Sequence, residues 1–244
     1  MSSRGEPRAT PLPTADATRE ALGMTVHELR RPLTVITSYA QLLSGGMLGE
    51  VPAAAMTAVE SMVEAADAML ALIEGLAEVV RLGDPADQPV ITEVAADELL
   101  EPVLAEVAPM AMLRGVRLEI DAAEGLRVRG DARRLGLALG NLCTNAVTYS
   151  AENTTVQVTA RGHRGEVVIA VRDRGPGVPP EEEPRIFDKY YRGRLGRREH
   201  PTGSGLGLFL ARAVAEGAGG SLTANAAEGG GMEFVLRLPV AERG

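Results

Sequence analysis

The sequence predicts an α+β chain in two parts: an N-terminal antiparallel helical hairpin, then an α/β sandwich built on a mixed sheet. Three observations predict it. Two stretches near the N-terminus repeat apolar residues at spacings of three and four, the period of a packed helix. Further on, short β-branched runs alternate with helical ones, the mark of a sheet with helices packed on it. Between the two patterns, Gly83-Asp84-Pro85-Ala86-Asp87 reads as a linker. The expected division is a disordered tail over 1–16, the hairpin over 17–82, a linker over 83–88 and a second domain over 89–240.

Composition narrows what the chain can be. Apolar residues make up 45% of 244, enough for a core, but aromatics are 3% and Trp is absent. The cores are therefore Leu, Val, Ala and Met. Cys143 is the single cysteine, which excludes an internal disulfide and suits a reducing, cytoplasmic setting. No apolar run approaches the roughly 20 residues that cross a bilayer, so no transmembrane segment is expected in this chain. The N-terminus also lacks the apolar stretch of a secretory signal. A net charge of -8 argues against a general nucleic-acid binder. The acid excess lies mainly in the hairpin part: 6 basic and 12 acidic residues up to residue 87, against 19 and 21 after it.

The first helix is expected from about Ala17 to Ser44, with Leu22, Val26, Leu29, Leu33, Ile36, Ala40 and Leu43 along its seam. Gly45-Gly46 ends it, as glycine does at helix C-termini. Pro52 opens the second helix, whose seam is Val59, Met62, Ala66, Met69, Ile73, Leu76 and Val80. One hairpin cannot cover both seams. Pairing two into a four-helix bundle does, so a homodimer is expected. His27 falls one residue off the seam, which puts its imidazole at the edge of the packed face. An accessible imidazole is a nucleophile near neutral pH. Glu28 can hold the proton on one ring nitrogen. Pro32 has no N–H for the Glu28 carbonyl, so a bend is expected just after the histidine.

In the second domain, strands are expected at Val90–Thr92, Val116–Ile120, Leu126–Val128, Thr155–Thr159, Val167–Arg172, Ser221–Ala224 and Glu233–Leu238. Helices are expected at Asp97 to about Arg114, from the cap Asp131 to about Thr148, and from Gly205 to about Glu216. A Gly-, Pro- and charge-rich loop over Gly175–Ser204 is long enough to suggest a functional lid.

Three stretches of this domain carry chemistry. Asn141, Asn145 and Thr148 share one helix face, while Leu135, Leu139, Leu142 and Ala146 pack the other. Asparagine is a poor helix-interior residue, and two on one stripe can offer oxygens to Mg²⁺ and hydrogen bonds to phosphate. Asp173 ends a strand and is followed by Gly175 and Gly177. Such a carboxylate can accept from the exocyclic amine of adenine and reject the carbonyl of guanine. Gly203-Ser204-Gly205-Leu206-Gly207 opens a helix, where free N–H groups bind phosphate. Between the glycine motifs lie Arg185, Lys189, Arg192, Arg194, Arg197 and Arg198, in an otherwise acidic chain.

"HELRRPLTVI" resembles the phosphoacceptor box of sensor histidine kinases. "NLCTNAVTYS" is similar to that family's N-box, Asp173–Pro179 to its G1 box, "IFDKYYRGRLGRR" to its F-box and "GSGLGL" to its G2 box. The boxes stand in the family's order, and the resemblance runs from about Ala17 to Val240. It implies a dimeric ATP-dependent kinase that phosphorylates His27, with Glu28 assisting, and passes the phosphoryl group to an aspartate of a response-regulator receiver domain. It implies that Asn141 ligates Mg²⁺, that Asn145 meets Mg²⁺ or phosphate, and that Tyr149 packs near adenine. Asp173, Gly175 and Gly177 would hold the base; Lys189, Arg192, Gly203, Ser204, Gly205, Leu206 and Gly207 would hold the phosphates. Thr148 departs from the pattern, since the family usually has a basic residue there. Three rival readings stand beside it: a non-enzymatic phosphotransfer or scaffold protein with a degenerate nucleotide site, which Mg²⁺-ATP binding would exclude; a serine kinase of the same superfamily, which would lack a phosphoacceptor hairpin; and a purely structural bundle, which the glycine motifs disfavour.

Overall fold

The computed structural model describes residues 15–84, 86–199 and 203–241; the expected tail falls almost wholly outside them. The chain divides into two compact units, 1–87 and 88–244.

In the first unit, α1 (Ala15–Ser44) and α2 (Ala53–Leu82) form the hairpin. The turn closes by glycine chemistry. Gly46 is left-handed at φ 70°, its N–H reaches the Leu43 carbonyl (3.1 Å), and the Met47 N–H reaches back to Leu42 (3.0 Å). This is the paired C-terminal bond pattern that a left-handed residue makes possible. Pro52 sits at the N-cap of α2, one position before the first helical residue. Arg30 lies 3.7 Å from Glu74, an exposed ion pair between the two helices. Pro32 is inside α1, which continues through it to Ser44.

The expected seams split into two columns of period seven. Val26, Leu33 and Ala40 of α1 are buried, as are Val59 and Ala66 of α2. Leu29 and Ile36, three residues on from the buried members, are exposed, and so are Met62 and Met69. One column holds the hairpin together; the other faces outward.

The second unit starts with β1 (Thr92–Ala95) and α3 (Ala96–Leu113), then β2 (Arg117–Ala122), β3 (Arg127–Gly130), α4 (Ala132–Tyr149), β4 (Thr155–His163) and β5 (Glu166–Arg172). After a short 3₁₀ turn (Glu183–Arg185) come α5 (Arg194–Glu199), α6 (Gly207–Gly217), β6 (Ser221–Ala226) and β7 (Met232–Pro239). The main sheet runs β2-β4-β5-β7-β6, with β2 and β4 parallel and the other neighbours antiparallel. β1 and β3 make a separate antiparallel pair. The register Val158↔Val171, Ala160↔Ile169, Val171↔Phe234 and Ile169↔Leu236 puts one row of buried side chains on one face. α3, α4 and α6 cover it through Leu100, Leu139, Leu142 and Leu210. This is the mixed α/β sandwich the sequence implies.

Several bounds differ from expectation: β3 runs Arg127–Gly130 rather than Leu126–Val128, β4 extends to His163 and α6 starts at Gly207. The first strand is shifted from Val90–Thr92 to Thr92–Ala95, because Val94 is the residue that finds cover opposite Val128 while Val90 stays exposed. The loop over Gly175–Ser204 also contains the short helix α5.

Candidate functional site

Four stretches of the second unit meet around the C-terminal half of α4. Asp131 caps that helix: its Oδ1 accepts from the Arg134 N–H (3.0 Å) and its Oδ2 from the Val90 N–H (2.9 Å). The helix is amphipathic, with Leu135, Leu139, Leu142, Cys143 and Ala146 fully buried. Asn141 and Asn145 are therefore left half-buried on the other side, one turn apart. Asn141 donates through Nδ2 to the Leu137 carbonyl (3.0 Å), which turns its oxygen away from that bond. That oxygen lies against the first residue of α6: a Cβ on Gly207 would come within 2.9 Å of Asn141 Oδ1. Glycine at 207 is what lets the two helices approach here.

Tyr149, at the end of α4, touches two other stretches. A side chain at Gly175 would meet the Tyr149 carbonyl oxygen at 2.4 Å, and one at Gly196 would meet its hydroxyl at 2.7 Å. Asp173 follows β5 and is almost wholly buried, at 3% exposure. Its Oδ1 accepts from the Gly175 N–H (2.8 Å) and the Met232 N–H (3.1 Å). Its Oδ2 has no hydrogen-bond partner among the described residues. Burial pushes this carboxyl above its usual range, and the two N–H donors pull it only part of the way back. Gly177 follows in a left-handed turn at φ 75°.

The helix-opening glycine motif is knitted to the basic loop. Gly205, at φ 69°, accepts through its carbonyl from the Tyr190 N–H (3.0 Å), and a Cβ there would meet the Tyr191 oxygen at 2.8 Å. Ser204 Oγ accepts from the Leu206 N–H (3.3 Å), and Leu206 is buried at the N-cap of α6. Gly203 lies beside the Arg192 guanidinium. Arg192 in turn donates to the Gly196 carbonyl (2.8 Å). Lys189 is exposed, its ammonium 4.7 Å from the centre of the Phe209 ring.

The arginines of the loop do not all stand free. Arg194 donates to Glu182 Oε1 (2.8 Å) and Glu181 Oε1 (2.6 Å), and its backbone N–H points at Glu182 Oε2 (3.1 Å). Desolvation raises the Glu182 carboxyl, but the Arg194 bonds and the charges of Arg194 and Arg197 outweigh it and hold the group below its usual range. Arg197 donates to the Arg192 carbonyl. Together these residues border a cleft of about 690 Å³.

Within the second unit, then, direct approaches join Asn141 with Gly207, Tyr149 and Asp173 with Gly175, Arg192 with Gly203, and Gly205 with the Tyr190–Tyr191 backbone. His27 lies on α1, but its side chain is outside the described residues, so the expected edge position of the imidazole has no structural account here. Glu28, beside it, is exposed. Sequence reasoning missed two contributors: the Gly231–Met232 backbone that reaches Asp173, and the Glu182–Arg194 clasp. The run Gly229-Gly230-Gly231 was a legible signal for the first. Nothing local marks the second, since its partners are twelve residues apart.

The comparisons with known proteins agree with this geometry. The family described as His Kinase A (phospho-acceptor) domain matches residues 17–85. The family described as Histidine kinase-, DNA gyrase B-, and HSP90-like ATPase matches residues 130–242. The chain belongs to the histidine kinases.

Among histidine kinases, it is 34% identical over 232 residues to the signal transduction histidine-protein kinase AfsQ2 of Streptomyces coelicolor, aligning 91% of this chain with 42% of that one. It is 30% identical over 223 residues to the sensor-like histidine kinase SenX3 of Mycobacterium tuberculosis, with 91% and 54% covered. The chain thus spans about half the length of these relatives. A solved structure of full-length ShkA in complex with AMPPNP superposes with a TM-score of 0.68 at 28% identity, covering 91% of this chain and 46% of that one. The mycobacterial sensor histidine kinase MprB superposes with a TM-score of 0.55 at 28% identity, covering 62% of this chain and 98% of that one. The second unit is the ATP-binding domain of this kinase family. Among the described residues, no helix is long and apolar enough to cross a membrane.

Proposed function

We propose that this chain is a cytoplasmic, homodimeric protein-histidine kinase that transfers the γ-phosphoryl group of ATP to His27 and then to an aspartate of a response-regulator receiver domain. The observation that carries the reading is Asp173: a buried carboxylate with one oxygen held by two backbone N–H groups and the other without a partner, between a glycine turn and the asparagine-bearing helix. That oxygen accepts from the exocyclic amine of adenine. Tyr149 packs beside the base, and the N–H groups at the start of α6, with Lys189 and Arg192, receive the phosphates.

Asn141 and Asn145 fit a Mg²⁺ ion. With Nδ2 committed to Leu137, the Asn141 oxygen is the hard ligand such an ion takes beside phosphate and water. Bound there, the ion would neutralise phosphate charge. Thr148 supplies no cation at its position; the basic loop of the F-box region supplies it instead.

The division of labour follows the chain: 1–16 a tail, 17–82 dimerisation and phosphoacceptance, 83–88 a linker, 89–240 catalysis. In the first step one ring nitrogen of His27 attacks the γ-phosphorus. A P–N bond forms, the β,γ P–O bond breaks and ADP leaves. Glu28 accepts a hydrogen bond from the other ring nitrogen and keeps the attacking one unprotonated. In the second step a receiver carboxylate oxygen attacks the phosphorus, the P–N bond breaks, and neutral His27 is restored.

The experiment is incubation with γ-labelled ATP and Mg²⁺. The expected result is a label that is lost in acid and stable in base, absent from His27→Gln although that variant still binds ATP. Acid-labile label on His27→Gln would overturn the assignment.

A further inference from the structure

The hairpin turn between β6 and β7 carries three successive glycines in the left-handed region: Gly229 (φ 82°), Gly230 (φ 97°) and Gly231 (φ 86°). The Ala227 N–H donates to the Gly231 carbonyl (3.0 Å) and the Gly230 N–H to Ala227 (3.0 Å), so the turn is closed on itself. The surroundings of the glycines differ. A Cβ on Gly230 would meet nothing within 4 Å, whereas one on Gly231 would lie 2.2 Å from the Asp173 carbonyl oxygen and 2.7 Å from its Oδ1. Gly231 is therefore glycine for two reasons, backbone conformation and proximity to Asp173.

That proximity has a chemical result. The next residue, Met232, donates its N–H to Asp173 Oδ1 (3.1 Å) and accepts from the Asp173 N–H (2.9 Å). The tip of the hairpin is fastened on both flanks of Asp173, since Arg172 and Arg174 both donate to the Glu228 carbonyl. With Oδ1 held from two sides, the orientation of the carboxylate is fixed, and its other oxygen is the one available to a base.

We infer that the Gly229–Gly231 turn positions the Asp173 carboxylate, and that Gly231 thereby determines the preference for adenine over guanine nucleotides. This rests on the reading of Asp173 as the acceptor for the adenine amine. Adenine gives up a hydrogen bond when the oxygen is displaced; guanine, with a carbonyl at that place, has none to lose.

The test measures dissociation constants of ATP and GTP with Mg²⁺, and the thermal midpoint, for the whole chain and three variants. Gly230→Ala and Gly231→Ala both impose a left-handed alanine, so both lose stability. Only Gly231→Ala is expected to weaken ATP, by at least about tenfold, with GTP unchanged so that the ratio between them narrows. Asp173→Asn is expected to weaken ATP as well. Wild-type ATP affinity in Gly231→Ala, an equal loss in Gly230→Ala, or an equal loss for both nucleotides would overturn the positioning role. Wild-type ATP affinity in Asp173→Asn would instead overturn the reading of Asp173 itself. If Gly231→Ala does not fold, Arg174→Ala carries the test. It removes only an exposed clasp on the tip and is expected to weaken ATP severalfold at an unchanged thermal midpoint; unchanged ATP affinity there counts against the role.

Discussion

Burial lifts the Asp173 carboxyl above its usual range, against the pull of two backbone donors, and this gives opposite pH trends for folding and for binding. A carboxyl with a raised folded-state pKa keeps its proton to higher pH in the native protein than in the unfolded chain. Its contribution to stability is fully present below the unfolded value and is lost as pH rises through the folded one. Nucleotide recognition through Asp173, as proposed, needs the reverse, because a protonated Oδ2 presents an O–H donor to an amine that also donates. ATP affinity is therefore expected to fall as pH drops through the raised pKa of Asp173, by about tenfold one unit below it. Asp173→Asn lacks this dependence, and titrating both proteins with the same ligand cancels the ionisation of ATP. Parallel pH profiles for the two would refute the assignment. Cys143, on the buried side of the same helix, takes no part: burial pushes its thiol up to about 12, so it stays protonated and inert.

At the scale of elements, what was legible in the sequence is what is set by chemistry close along the chain. The end of α1 follows from Gly46, the start of α4 from Asp131, and α6 from its glycines. The elements that were shifted or missed answer to distant partners. β1 lies two residues later than its apolar pattern suggests, since pairing with β3 decides its register. α5 has the composition of a loop and no local cap; it is held from outside, where Glu182 accepts from the backbone and side chain of Arg194. A carboxylate at a helix N-terminus satisfies free N–H groups and opposes the positive end of the helix dipole. Glu182→Gln is expected to speed amide exchange in α5 severalfold and leave α4 and the sheet unchanged. The depressed pKa of Glu182 places the loss of this clasp at acid pH: it is intact above the ordinary carboxylate range and released as pH falls through the folded value. Unaltered exchange in the variant would show that α5 stands without the clasp.

At the scale of the molecule, the hairpin leaves part of its apolar pattern uncovered. Leu29 and Ile36 on α1 and Met62 and Met69 on α2 are exposed at about the spacing of one heptad, beside Val35, Tyr39 and Leu72. A period of seven on both helices is the pattern of a supercoiled seam, and a second hairpin with the same columns would cover it. Charge opposes the association. Through residue 87 the chain has twice as many acidic as basic residues, so two hairpins brought together repel. Apolar burial must exceed that repulsion. A large side chain fully removed from water contributes ~1.5–3 kcal/mol, and a dimer repeats each contribution twice. Salt screens the repulsion but not the burial, so the dimer is expected to tighten as ionic strength rises. Ile36→Glu or Met69→Glu puts a carboxylate into the seam twice per dimer and is expected to weaken association by at least about a hundredfold. Sedimentation of the whole chain across a range of concentration and salt reads both effects. A folded native monomer at every concentration, or a dimer indifferent to both substitutions, would assign the exposed column to some other partner than a second copy of this chain.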